Sequence, residues 1–228
     1  MLNTPSFQDV ILCIVRRLLL VTTLVILCVT GPAAWAADSI ATPSTGSATD
    51  AVKSTITELL RTLDDPTLKE PDRSDERRQA IERIIMQRVS YEEMAKRSLG
   101  TPWAELPETD RREFVELFVQ LLRDNFAGRI SEHSAAAVSY LSEQQEAHFA
   151  EVKTHLKNPK VDTRVDFRLF LHSGEWLVYD VVVDGASIVS NYRAQFTSII
   201  RDVTYVGLVK KMKQNAVAVK LFEHPSAR

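Results

Sequence analysis

Residues 161–187 read VDTRVDFRLFLHSGEWLVYDVVVDGAS, and the alternation within them decides the fold class. Val161, Thr163, Val165, Phe167, Leu169 and Leu171 recur at every second position, with Asp162, Arg164, Asp166 and Arg168 between them. Successive side chains of an extended chain point to opposite faces, so this is a strand with one apolar face and one of alternating charge. His172-Ser173-Gly174 then turns the chain into a second strand, Glu175 to Asp184. A three-residue loop ending in glycine predicts the pairs Leu169 with Leu177, Phe167 with Tyr179 and Val165 with Val181. A two-residue turn would set Asp180 opposite Phe167 on the apolar face. Because a slip of one residue moves a whole side-chain set across the sheet, the three-residue turn is favoured.

Upstream, Ala136-Val138-Tyr140 and Ala150-Val152-Thr154-Leu156 carry the same period of two, giving a meander of about four strands. Before Ser134 the period is close to 3.6. Val52, Ile56, Leu59, Leu60 and Leu63 mark a helix from Ala51, Asp64 to Pro71 breaks it, and Ala80, Ile81, Ile84 and Ile85 mark a second. Ser90-Tyr91-Glu92-Glu93 reads as a capping box, with Val89 and Met94 placed for a hydrophobic staple, opening a short helix that stops at Gly100. Pro107 opens the longest helix, with Phe114, Leu117, Phe118, Leu121, Leu122 and Asn125 on one side and Arg112, Glu116 and Arg123 opposite. Downstream, Ser187 caps a helix striped by Ile188, Tyr192, Phe196, Ile199 and Val203, and Tyr205, Leu208, Val209 and Met212 suggest one short helix more. The expected fold is α+β: a curved antiparallel sheet with amphipathic helices packed over one face.

The start of the chain has a different character. Arg16-Arg17, the uncharged run Leu18 to Val29 and the ending Ala34-Trp35-Ala36 predict a cleaved secretory signal peptide over residues 1–36. That run is well short of the roughly 20 residues a spanning helix needs. Residues 37–50 are small and polar and read as a mobile leader to a domain over 51–213, with a frayed tail over 214–228. Cys13 and Cys28 both lie in the segment removed, so the exported domain is cysteine-free and held by its core alone. Removing Asp9, Arg16 and Arg17 leaves 26 basic and 29 acidic residues, net −3. No large basic field advertises nucleic acid as a partner.

Signatures of catalysis are missing: no G-x-S-x-G, no glycine-rich phosphate loop, no H-E-x-x-H, no cysteine nucleophile in the exported part. No metal site or cofactor is expected, since His148 and His155 fall on opposite faces of one strand. Asp166 and Asp180 would face each other in the favoured register, but Arg164 and Arg168 flank them as a solvated charge ladder does.

Leu99-Gly100-x-x-Trp103, Arg111-x-x-Phe114-x-x-x-Phe118 and Leu121-Leu122 resemble the MlaC-type (toluene-tolerance) periplasmic phospholipid-binding proteins. The more specific match is Trp176-x-x-Tyr179-Asp180-Val181, Asp184-Gly185-Ala186-Ser187 and Asn191-Tyr192-Arg193-x-Gln195-Phe196. Arg88-Val89-Ser90-Tyr91 departs from the family, which commonly carries a Phe-Asp pair there. The resemblance implies a non-enzymatic periplasmic carrier of phospholipid in an ABC-type transport system that maintains outer-membrane lipid asymmetry. Its partners would be an inner-membrane transporter complex and an outer-membrane lipoprotein–porin complex. A small-pocket enzyme, a chaperone for lipidated clients and a hopanoid-associated family member are the alternatives.

With acyl chains as ligand, the face assignments place Phe114, Phe118, Leu121, Leu122, Val165, Phe167, Leu169, Tyr179, Val181, Tyr192 and Phe196 on the wall of an apolar pocket. Arg193, beside the stripe of its helix, is set at the rim as a phosphate contact, with an ion pair to Asp184 or Asp180 as the competing role. With a net charge of −3 and no clustered basic pocket legible, headgroups are expected mostly in solvent, phosphatidylethanolamine and phosphatidylglycerol binding within about tenfold.

Overall fold

In a computed structural model, residues 46–132, 135–160 and 162–217 are described; the predicted signal peptide, most of the leader, Val161 and the end of the tail lie outside them. Four helices come first: α1 (Ala48–Asp64), α2 (Ser74–Arg88), α3 (Tyr91–Leu99) and α4 (Glu108–Glu132). The strands β1 (Ala137–Glu146), β2 (Phe149–Lys157), β3 (Asp162–His172), β4 (Glu175–Val183) and β5 (Ala186–Ser187) follow, then α5 (Ile188–Lys213). The strands lie in sequence order in one antiparallel sheet, five rather than about four, open and uncurled where curvature was expected.

Helix α1 starts before the expected boundary. The Ser47 hydroxyl accepts the Asp50 amide at 3.0 Å and the Asp50 carboxylate takes the Ser47 amide at 3.3 Å, so a capping box stands where a mobile leader was read. At α3 only half of the predicted box forms. The Ser90 hydroxyl accepts the Glu93 amide at 3.4 Å, but the Glu93 carboxylate turns to Arg97 at 2.8 Å. Val89 and Ser90 instead cover the outer edge of β4, the Ser90 amide donating to the Val178 carbonyl at 2.9 Å. Farther along, β5 covers the same edge by pairing Val182 with Ser187, which leaves little of the edge free to template another strand.

The hairpin register corrects the sequence reading. His172 pairs with Glu175, Leu171 with Trp176 and Leu169 with Val178, so the turn is the two-residue Ser173-Gly174. Both turn residues take left-handed φ, 50° and 85°, the geometry that matches the twist of paired strands. The feared mismatch is removed by a β-bulge. Arg168 pairs with Asp180 and Phe167 with Val181, leaving Tyr179 as the extra residue. Trp176 and Val178 face the helices before the bulge, Val181 and Val183 after it, while Tyr179 and Asp180 face away. Asp166 pairs with Val182 and does not meet Asp180.

Asp180 is 2% exposed and serves the start of α5. Its carboxylate accepts the Val189 amide at 3.0 Å, the Ser187 hydroxyl at 2.6 Å and the Arg168 guanidinium at 3.1 Å. An anion among the free amides of a helix N-terminus is favoured by hydrogen bonding and by the helix dipole. Ser187 is the expected N-cap, accepting the Ser190 amide at 2.9 Å. The predicted break after Val203 is a kink at Thr204, with φ 66° and ψ 174°. Gly207 belongs to it, since a Cβ there would stand 2.6 Å from Val203 Cγ2.

Two main cores result. The helical one joins α3, α4 and α5 through Leu99, Trp103, Phe114, Phe118, Tyr192, Phe196, Leu208 and Met212, and reaches Val217 in the segment read as a frayed tail. The other packs Val52 and Ile56 of α1 on Ala150, Val152, Leu169, Trp176 and Val178 of the sheet. Among the described residues no helix is long and apolar enough to cross a membrane.

Candidate functional site

Between the two cores the packing does not close. A cavity of about 950 Å³ lies over the inner face of β3 and β4, walled by α1, α2, α3 and α4. Ligand pockets typically run from about 300 to 1,000 Å³, so this one is at the large end. Each wall follows from a local pattern. Helix α1 contributes Ile56, Leu59 and Leu60, α2 adds Ile81 and Ile85, and α4 adds Val119, Leu122 and Phe126. The floor is Val165 and Phe167 of β3 with Val178, Val181 and Val183 of β4.

Of the residues assigned to the pocket from sequence, the structure brings Leu122, Val165, Phe167 and Val181 to the chamber. Phe114, Phe118, Tyr192 and Phe196 are fully buried in the filled helical core, with Leu121 beside them. Their rings interlock: Phe118 meets Tyr192 edge-on at 5.2 Å between centroids and Phe114 meets Phe196 at 5.6 Å. Burial pushes the Tyr192 phenol far above its ordinary value. Leu169 is fully buried under α1 in the sheet core. Tyr179, thrown outward by the bulge, packs edge-on to Phe149 at 6.0 Å beneath the Arg97 guanidinium, 4.1 Å from its ring centre.

Helix α4 shows why periodicity could not divide its apolar face. Phe114, Phe118 and Leu121 form one stripe; Val115, Val119, Leu122 and Phe126 form a second, shifted by one residue. Both are apolar at helical spacing, and only the neighbours determine which stripe meets a core and which a void.

Arg193 is not among the residues that line the chamber. Its Nε donates to the Arg97 carbonyl at 2.8 Å, capping the C-terminus of α3, and lies 3.5 Å from where a Cβ of Gly100 would stand. Gly100 has φ 75°, so the glycine serves both the left-handed turn and this approach. The family-like blocks therefore build the frame around the chamber more than its wall. Arg111 is a further case, its Nε donating to the Trp103 carbonyl at 3.1 Å.

The chamber also gathers polar residues that sequence reasoning missed. Arg77, Arg78, Arg123 and Lys160 line it beside Glu82, Asp162 and Asp184. These cations are scattered over the chain, and Arg123 lies opposite the predicted apolar side of its helix, so no spacing signal could have found the group. Arg123 reaches Glu82 at 3.6 Å, and Tyr91 stands nearby, its phenol raised by burial and pulled partly back by Arg123. Tyr91 lies in the stretch that departs from the family pattern, so that departure falls on the chamber wall. Asp162 is held below the ordinary carboxylate range by hydrogen bonds from His155 and Lys157. Among the described residues no cluster of three or more His, Cys, Asp or Glu side chains could hold a metal ion.

Comparison with known proteins agrees with this architecture. The phospholipid-binding protein from Ralstonia solanacearum, solved in complex with a phospholipid, shares the fold with a TM-score of 0.67. It is 21% identical, and the match covers 75% of this chain and 97% of that one. No curated protein matches the chain by sequence. A family model described as MlaC protein matches residues 53–214, the span that holds both cores and the chamber, and the chain belongs to the MlaC family.

Proposed function

We propose that this protein is an exported carrier that holds phospholipid acyl chains in the chamber and moves lipid through the periplasm without chemical change. The observation that carries the reading is the chamber itself: about 950 Å³ of space, apolar over most of its wall, with charged side chains of both signs among its lining. That is the complement of an amphiphile with a charged head. At roughly 0.8 kcal/mol per methylene, two bare acyl chains in water cost on the order of 20 kcal/mol, and an apolar chamber removes that cost reversibly. The Ralstonia protein of the same fold, solved with a phospholipid bound, supports the reading. Loading from an inner-membrane ABC transporter and delivery to an outer-membrane lipoprotein–porin complex complete the proposal.

The test is direct. Protein purified without detergent is extracted with organic solvent and the extract analysed by mass spectrometry. A carrier yields phospholipid at a fixed molar ratio to protein; extracts free of lipid, from protein that also fails to take up added phospholipid, would refute it.

A further inference from the structure

Of the four helices that wall the chamber, α1, α3 and α4 are built into the two main cores, and α2 belongs to neither. Ile81 and Ile84 are its buried residues, and neither joins a cluster of buried apolar side chains among the described residues. The helix packs on α1, and Ile81 and Ile85 line the chamber. Its C-terminal end is fastened. Arg88 donates from Nη1 to the Trp176 carbonyl at 2.8 Å and from Nε to the Thr55 hydroxyl at 3.3 Å, and Val89 and Ser90 hold the edge of β4. Its first turn is held more loosely. No side chain caps the start, Arg78 pairs with Asp75 of the same turn, and Glu76 pairs with Arg73 just before it. A long bond from Arg77 Nη2 to the Leu63 carbonyl, at 3.5 Å, reaches back to α1.

An ion pair spans the seam between α2 and α4. Arg123 Nη2 meets Glu82 Oε2 at 3.6 Å; both residues line the chamber, yet their side chains are 43% and 29% exposed. Residues that touch the chamber and solvent at once mark a place where side chains alone separate the two. An ion pair of this length and exposure is weakly stabilising and screened by salt, so the seam it holds opens readily. We infer that α2 is a lid, hinged at residues 88–90 and latched by Glu82 and Arg123, and that lipid enters and leaves the chamber between α2 and α4. The lid deepens the carrier reading and rests on it. Elements with few buried apolar contacts are the ones that open at low cost. Moving α1 instead would pull Val52 and Ile56 off the sheet, and moving α4 would pull Phe114 and Phe118 from the rings of α5.

The predicted exported chain has no cysteine, so Glu82→Cys together with Arg123→Cys supplies its only thiols. The variant is loaded with pyrene-labelled phosphatidylglycerol and joined across the seam by a bismaleimide whose spacer contains a disulfide. Transfer of the label to dioleoylphosphatidylcholine vesicles is then followed by fluorescence. The cross-link is expected to slow release about tenfold or more, as a clamped lid does. Cutting the spacer with reductant should restore release, although both halves of the linker stay in place. Release at the rate of the unlinked variant, or a block that outlasts the reductant, would overturn the lid. Glu82→Gln and Arg123→Gln should each speed release about two- to fivefold at low salt, with the double variant no faster and the gain lost at high salt. Wild-type rates at low salt in both single variants would overturn the latch. A wild type that takes up no lipid refutes the carrier reading itself, a result distinct from a cross-link without effect. Should the double-cysteine variant fail to fold, Glu82→Gln and Arg123→Gln carry the test of the lid.

Discussion

Phe118→Ala and Phe167→Ala remove the same ring from two places that sequence periodicity assigned to one wall. Phe118 is fully buried, packed on Phe114 at 6.3 Å, Tyr192 at 5.2 Å and Phe196 at 6.2 Å between ring centroids. Truncation there loses the transfer term and leaves a closed cavity, together about 3–5 kcal/mol. In a domain of this size that lowers the melting temperature by about 6–20 °C. Phe167 is half-buried on the chamber floor, so its removal enlarges a void that already exists. Only part of a transfer term of about 1.5–3 kcal/mol is at stake. Thermal unfolding of both delipidated variants by circular dichroism gives the stabilities, and extraction gives lipid per folded molecule. Phe118→Ala is expected to lose several times more stability and keep its lipid ratio. Phe167→Asp, which places a charge on the floor, is expected to lose lipid and remain folded. Comparable stability losses in the two Ala variants, or a Phe118→Ala protein that melts normally but holds no lipid, would show that the helical core and not the chamber is the pocket.

Arg193→Ala removes the cap bond to the Arg97 carbonyl and is expected to cost about 1 kcal/mol in delipidated protein without changing lipid retention, read by chemical denaturation and extraction. Asp180→Ala strips the α5 amide, the Ser187 hydroxyl and Arg168 of their common acceptor; a loss of about 2–4 kcal/mol, measured in urea, is expected because the carboxylate is buried and one partner charged. Tyr205 is pushed up to about 12, first by burial and then by the nearby Asp110 and Glu113 carboxylates. A raised folded-state value means that its stabilising contribution is complete below about pH 10, the ordinary tyrosine value, and is lost as pH rises toward 12. Tyr205→Phe should therefore remove one late ionisation step from the 295 nm titration while the later ionisation of Tyr192 remains, and the variant's melting temperature should fall less steeply above pH 10.

What the sequence by itself determined were the elements, because each is encoded locally. The period of two in β3, the 3.6-residue stripes of α1 and α5, the Ser187 cap and the break after Val203 are properties of a few neighbouring residues, and the structure reproduces them. The hairpin failed for a physical reason. A carboxylate opposite Phe167 looked prohibitive, yet one extra residue at Tyr179 turns Asp180 outward, where the first amides of α5 and Arg168 compensate its burial. That compensation comes from a helix later in the chain and a neighbouring strand, and no alternation pattern contains it. The chamber is likewise a property of the assembly. Whether an apolar stripe meets another stripe or faces a void depends on how α1, α2 and α4 stand over the sheet, so α4 could be read as amphipathic but not divided into its two halves. Arg77, Arg123 and Lys160 share one chamber only because α2, α4 and the β2–β3 connection converge there. Periodicity reports which surfaces leave water; only the tertiary arrangement decides which of them remain without a partner.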